Sequence, residues 1–129
     1  MEPQPSDHPF AVRRIGSNVL LVQLEREGAP TRAQVDALHA ANARMMRGAP
    51  LALLVEKTRR DSFPLEALRR LIEQPSLFAL AFHVGGDAQP FAVEMLLAVT
   101  AKTRAYPAAI FRSRAEAIAW LAQHGAEFE

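Results

Sequence analysis

Three side chains in this sequence have the types for shared chemistry: Glu56, His83 and Asp87. An imidazole beside carboxylates is an acid–base combination, in which the carboxylate orients the ring and the ring moves a proton. Glu56 and His83 close short apolar runs, and Asp87 follows shortly after the second. Lys57, Gly85, Gly86 and Arg112 fall at equivalent places. Nothing in the spacing says that the three side chains meet, and a solvated histidine at a strand end is the simpler account of His83. Gly85-Gly86 could hold a phosphate, but a lone pair lacks the G-x-G-x-x-G or G-x-x-x-x-G-K-[ST] spacing, so a tight turn explains it better. His8, His39, His83 and His124 lie on four segments without H-x-x-x-H or H-E-x-x-H spacing, and there is no cysteine. These patterns predict no metal, no cofactor and no catalytic set.

The bulk composition narrows the classes. The chain has 129 residues, half of them hydrophobic, which suits one domain with one core. Its formal net charge is +1. The arginine pairs Arg13-Arg14, Arg59-Arg60 and Arg69-Arg70 are scattered among acidic residues, as on solvated faces, so a nucleic-acid partner is not expected. No apolar run approaches the roughly 20 residues of a membrane span. The first residues lack the basic segment and apolar run of a secretory signal. A cytoplasmic protein without a membrane span is the expectation.

The elements that must position these residues follow from hydrophobic periodicity. Met1 to Pro9 hold three prolines and read as a loose tail before a single domain over 10–129. Phe10–Ile15 and Asn18–Glu25 read as a hairpin around Gly16-Ser17-Asn18, with its first strand at an edge. Thr31 and Gln34 form a T-x-x-Q capping box, opening a helix whose apolar face is Val35, Leu38, Ala41 and Met45. Gly48 ends it. Leu51–Val55 is a continuous apolar run, as expected of a central strand, and Glu56 to Ser62 reads as a charged loop. Pro64 suits the first turn of a short helix carrying Leu65, Leu68, Leu71 and Ile72. Phe78–Val84 is the next strand. Pro90 starts a helix to about Thr103, with Phe91, Met95 and Ala98 as its buried face and Leu96 and Val99 beside it. Ala108–Phe111 is the last strand. Ser113 and Glu116 then form an S-x-x-E box on a helix burying Ala117, Trp120 and Leu121. The order β-β-α-β-α-β-α-β-α demands a mainly parallel α/β sheet of four to five strands, with right-handed crossovers, an antiparallel edge hairpin and about four helices.

This order, and the ending Ile110-Phe111-Arg112-Ser113-Arg114-Ala115-Glu116-Ala117-Ile118-Ala119-Trp120-Leu121, resemble the STAS superfamily, in particular its small SpoIIAA-like branch. Phe111, Ser113, Glu116, Ala117, Trp120 and Leu121 carry the likeness, supported by Val84-Gly85 after the preceding strand and Pro107 before the last one. The resemblance implies anti-sigma factor antagonist behaviour: binding of a kinase partner, switched by phosphorylation of a serine at the start of the helix after the central strand. The region in question is Glu56 to Pro64, and its serine is Ser62, within Arg59-Arg60-Asp61-Ser62. The usual Asp-Ser-Ser/Thr-Gly type of signature is absent. A phosphate there would meet free amides and the two arginines. Alternatively, Asp61 or Ser62 simply caps the helix. The functional expectation is a non-enzymatic STAS-like module that binds another protein in bacterial regulation. A small apolar or lipid-like ligand between helix and sheet is the alternative, and an enzyme using the strand-end His83 and its acidic neighbours is the third class. Whether the chain forms a homodimer is left open.

Overall fold

The computed structural model describes residues 10–24, 31–57, 65–86 and 90–129. The expected tail, Arg59, Arg60, Asp61, Ser62, Pro64 and Asp87 lie outside them. The elements follow the expected order: β1 (Phe10–Arg14), β2 (Val19–Leu24), α1 (Arg32–Met45), β3 (Leu51–Lys57), α2 (Leu65–Leu71), β4 (Leu77–Val84), α3 (Phe91–Thr100), β5 (Ala108–Phe111) and α4 (Arg114–Gln123). They form one five-stranded sheet in the order β1-β2-β3-β4-β5. β1 pairs antiparallel with β2, and every later pair is parallel.

Each parallel connection steps one strand in the same direction. Crossovers of one hand therefore put α1, α2 and α3 on one face of the sheet. Their buried residues Val35, Leu38, Leu68, Leu71, Ile72, Val93, Leu96 and Leu97 pack with Leu20, Val22, Leu53, Val55, Leu80, Phe82 and Val84. The other face is covered by α4, where Ala117 and Leu121 meet Val19, Leu21, Ala52, Leu54, Ala79 and Ala81. Both faces being covered explains why β3 is apolar without alternation. The parity of β4 is set by a register shift near its start: Leu51 pairs with Leu77, but Ala52 pairs with Ala79.

Local signals hold α1 in place. Thr31 accepts from the Gln34 amide at 3.1 Å, and the Thr31 amide donates to Gln34 Oε1 at 2.8 Å, so the capping box is complete. In α4 the Ser113 half of the box is present, its hydroxyl accepting from the Glu116 amide at 3.1 Å.

Three expectations are corrected. β3 continues through Glu56 and Lys57, both buried, where the charges suggested a loop. The strand persists because the ladder does: Glu56 and Lys57 pair with His83 and Val84. α3 turns a different side inward, burying Val93, Leu96 and Leu97 and leaving Phe91, Met95 and Val99 at 65%, 40% and 64% exposure. That helix is apolar nearly all round, so periodicity offered two faces, and the i, i+3, i+4 set of slimmer side chains fits against the sheet. In α1 the buried third position is Asn42, and Met45 is exposed.

Candidate functional site

The sheet face under α4 is apolar in its first two rows and polar in its third. Val19, Ala52 and Ala79 form one row across neighbouring strands, and Leu21, Leu54, Ala81 and Ala109 the next. The third row is Gln23, Glu56, His83 and Phe111. Alternation of side chains along a strand brings these residues to one face, at the C-terminal ends of the strands, where open α/β sheets place ligands. Arg114, the first residue of α4, reaches down onto the same row.

Glu56 is the centre. Its side chain is 4% exposed. Gln23 Nε2 donates to Oε1 at 2.9 Å, and Arg114 Nη2 donates to the same oxygen at 2.7 Å. Arg114 Nε donates to Oε2, making the guanidinium bidentate, and His83 Nδ1 stands 3.0 Å from Oε2. A carboxylate offers about four acceptor positions, and these four contacts take them up. Burial alone works against the charge on Glu56, but the hydrogen bonds from Arg114, Gln23 and His83 outweigh it and carry the carboxyl down to about 2. The same contact raises Arg114 further above its usual range. Glu56 is thus a fixed anion, too weak a base and too fully engaged to collect a proton.

His83 is 15% exposed. Because a carboxylate oxygen only accepts, Nδ1 carries a proton, and in the neutral ring Nε2 is the nitrogen with the free electron pair. Gly85 lies against it: a Cβ at position 85 would sit 2.9 Å from Nε2. Gly85 is not among the glycines with positive φ, so the ring beside it, rather than backbone shape, accounts for the missing side chain.

The structure therefore brings Glu56 and His83 together, while Asp87 is outside the described residues. Sequence reasoning missed Gln23 and Arg114. A signal existed for Arg114, since a cation in the first turn opposes the helix dipole and calls for an acidic partner. Among the described residues no group of three or more His, Asp or Glu side chains could hold a metal ion. None of their helices is long and apolar enough to cross a membrane.

Among the described residues, two grooves flank these elements. One of 270 Å³ beside Arg114 has Ile15, Leu21, Leu54, Ile118 and Phe128 on its walls, with Arg13 at its rim. The other, of 460 Å³, lies at the opposite end of the sheet between the C-terminal ends of α2 and α3. Both are half open to solvent, unlike the closed apolar cavity that a lipid-like ligand calls for.

No protein-family model matches the chain, and no curated protein matches it. Among solved structures it is similar to an uncharacterized protein of the DUF3478 family from Shewanella loihica PV-4, described as having a SpoIIAA-like fold, with a TM-score of 0.61 and 16% identity. The match covers 94% of this chain and 98% of the other. At that identity the likeness speaks for architecture, and with the strand order and the α4 ending it shows that this chain has a SpoIIAA-like fold.

Proposed function

We propose that the chain is a non-enzymatic STAS-like module that acts by binding another protein in bacterial regulation. The observation that carries this reading is the outer side of α3. Phe91, Met95 and Val99, at four-residue intervals, expose a continuous apolar stripe along one helix. Large apolar side chains clustered on a surface mark interaction sites, whereas single ones do not. Ser62, with Arg59, Arg60 and Asp61 before it, is the proposed phosphorylation switch on this binding.

The test uses a photo-cross-linking residue at Met95 in cells of the source organism, with exposed Ala115 on α4 as the control position. The expected result is one identified protein captured from position 95 and not from 115. With that protein purified, Phe91→Glu combined with Val99→Glu should weaken its binding at least tenfold. Ser62→Asp should alter the same affinity relative to Ser62→Ala, at an almost constant thermal midpoint. Equal capture at 95 and 115 would refute the α3 face. A cross-linked dimer of this chain alone would reassign the face to self-association and overturn the heterologous partner.

A further inference from the structure

The geometry points to His83 as a covalent phosphoryl-acceptor site, with Nε2 as the attacking atom and a small acyl phosphate as the class of donor. Three observations support that assignment. First, Glu56 Oε2 lies 3.0 Å from Nδ1 and is anchored in turn by Gln23 and Arg114, so the ring has one orientation and its proton sits on Nδ1. This is the arrangement in which a carboxylate raises the electron density at the far nitrogen. Second, position 85 is glycine although its backbone does not need one, and the space so left is the space beside Nε2. Third, the surroundings suit a phosphoryl group. Phe111 is the strand partner of His83, and Arg114 follows it by three residues. Arg114 keeps 46% of its side chain exposed while bound to the same carboxylate. Guanidinium groups are the usual partners of phosphoryl oxygens.

The other histidines of the described residues lack this arrangement. His39 has its Nε2 engaged by the Leu71 carbonyl at 3.2 Å. His124 stacks on Trp120 with ring centroids 4.2 Å apart.

The step balances without a further reagent. The Nε2 electron pair forms the N–P bond. The P–O bond to the acyl group breaks, and its electron pair leaves as the free carboxylate. The proton stays on Nδ1, and Glu56 holds the positive charge that develops on the ring. The products are a phosphorylated His83 and one carboxylate ion.

The experiment incubates the intact protein with acetyl phosphate at neutral pH. Intact mass, peptide mapping under alkaline conditions and phosphorus NMR then locate the group. Expected is a single acid-labile phosphoryl group on Nε2 of His83, formed at least ten times faster than on His39 or His124. Gly85→Ala, whose Cβ would crowd Nε2 and displace the ring or the chain beside it, should slow the reaction at least tenfold, and His83→Gln should abolish it. Folding of both variants is checked by circular dichroism. Should Gly85→Ala fail to fold, nitrogen NMR of the wild-type ring takes its place, and the proton must be found on Nδ1. Labelling on Nδ1, labelling first at another histidine, no labelling, or an unchanged rate in a folded Gly85→Ala protein would each overturn the assignment.

Discussion

Two buried polar clusters sit at opposite ends of this sheet, and they solve burial differently. At the C-terminal ends of the strands, Glu56, Gln23, His83 and Arg114 form a charged cluster with an exposed flank, since Arg114 is 46% exposed. At the other end, under α1 and α2, the cluster is neutral. Asn42 Nδ2 donates to Gln74 Oε1 at 2.8 Å, Gln74 Nε2 donates to the His39 carbonyl at 3.2 Å, and His39 Nε2 donates to the Leu71 carbonyl. The Tyr106 hydroxyl donates to the Ile72 carbonyl. This second set holds the ends of α1 and α2 together and even tolerates one unpartnered acceptor, Asn42 Oδ1. This neutral network ties the helix ends to one another. A carboxylate held beside solvent by a bidentate arginine, and in contact with an oriented imidazole, can also tune a reactive atom. The comparison teaches that polarity in the core marks a site only where charge and access coincide.

The contrast can be broken by measurement. Glu56→Ala should cost most, about 3 kcal/mol in chemical denaturation, because Arg114, His83 and Gln23 all lose their acceptor. A loss under about 1 kcal/mol would mean that the cluster is surface decoration. Gln74→Ala should cost about 2 kcal/mol by leaving the Asn42 amide without an acceptor. Unlike the Glu56 effect, that loss should not change with ionic strength, since it involves no charge. A salt-dependent loss at Gln74 would erase the distinction.

Acid should separate the clusters with smaller effects. The Glu56 carboxyl is lowered on folding from 4.5 to about 2, so its contribution is complete above about 4.5 and is lost as pH falls through about 2. Its size is about 3 kcal/mol at most, and screening through the exposed flank of Arg114 reduces it. His39 is lowered from 6.5, chiefly by burial. The unfolded chain therefore binds its proton first, and stability begins to fall as pH drops below about 6.5 and levels off below the folded value. Stability measured against pH should show both declines. Glu56→Gln should remove the lower one and His39→Gln the upper one. Loss of the lower decline in the His39 variant would show that the two ends are coupled.

Much of the scaffold was legible because it is written in local chemistry. The Thr31–Gln34 box, the Ser113 cap and the apolar runs of β3 and β4 each act within a few residues. The mainly parallel pairing followed from alternation of strands and helices alone. The site was only half legible. Glu56 and His83 stood out by type, but Glu56 looked like the start of a charged loop because Lys57, Arg59 and Arg60 follow it. What keeps it in the strand, and what makes it a cluster, is pairing with residues 27 to 58 positions away. Such distances leave no periodic trace. α3 failed for the opposite reason. Too many of its residues are apolar, so the side facing the sheet was decided by fit against neighbours that the helix itself does not encode.

The sheet order has a consequence for how the chain acquires its shape. Because β1 to β5 lie side by side in the order of synthesis, each strand finds its neighbour through a single hairpin or one crossover. Each parallel pair still joins distant residues, such as Val22 with Val55, so it closes more slowly than the β1–β2 hairpin. One seam departs from this pattern. The last residues return to the first hairpin turn: Gly16 bridges Phe128, Ser17 Oγ donates to Glu127, and Asn18 Nδ2 donates to the Gly125 carbonyl at 3.0 Å. Closing that seam joins the two ends of the fold across more than 100 residues. It should form after the sheet, so changes there should speed unfolding while leaving the folding rate nearly untouched.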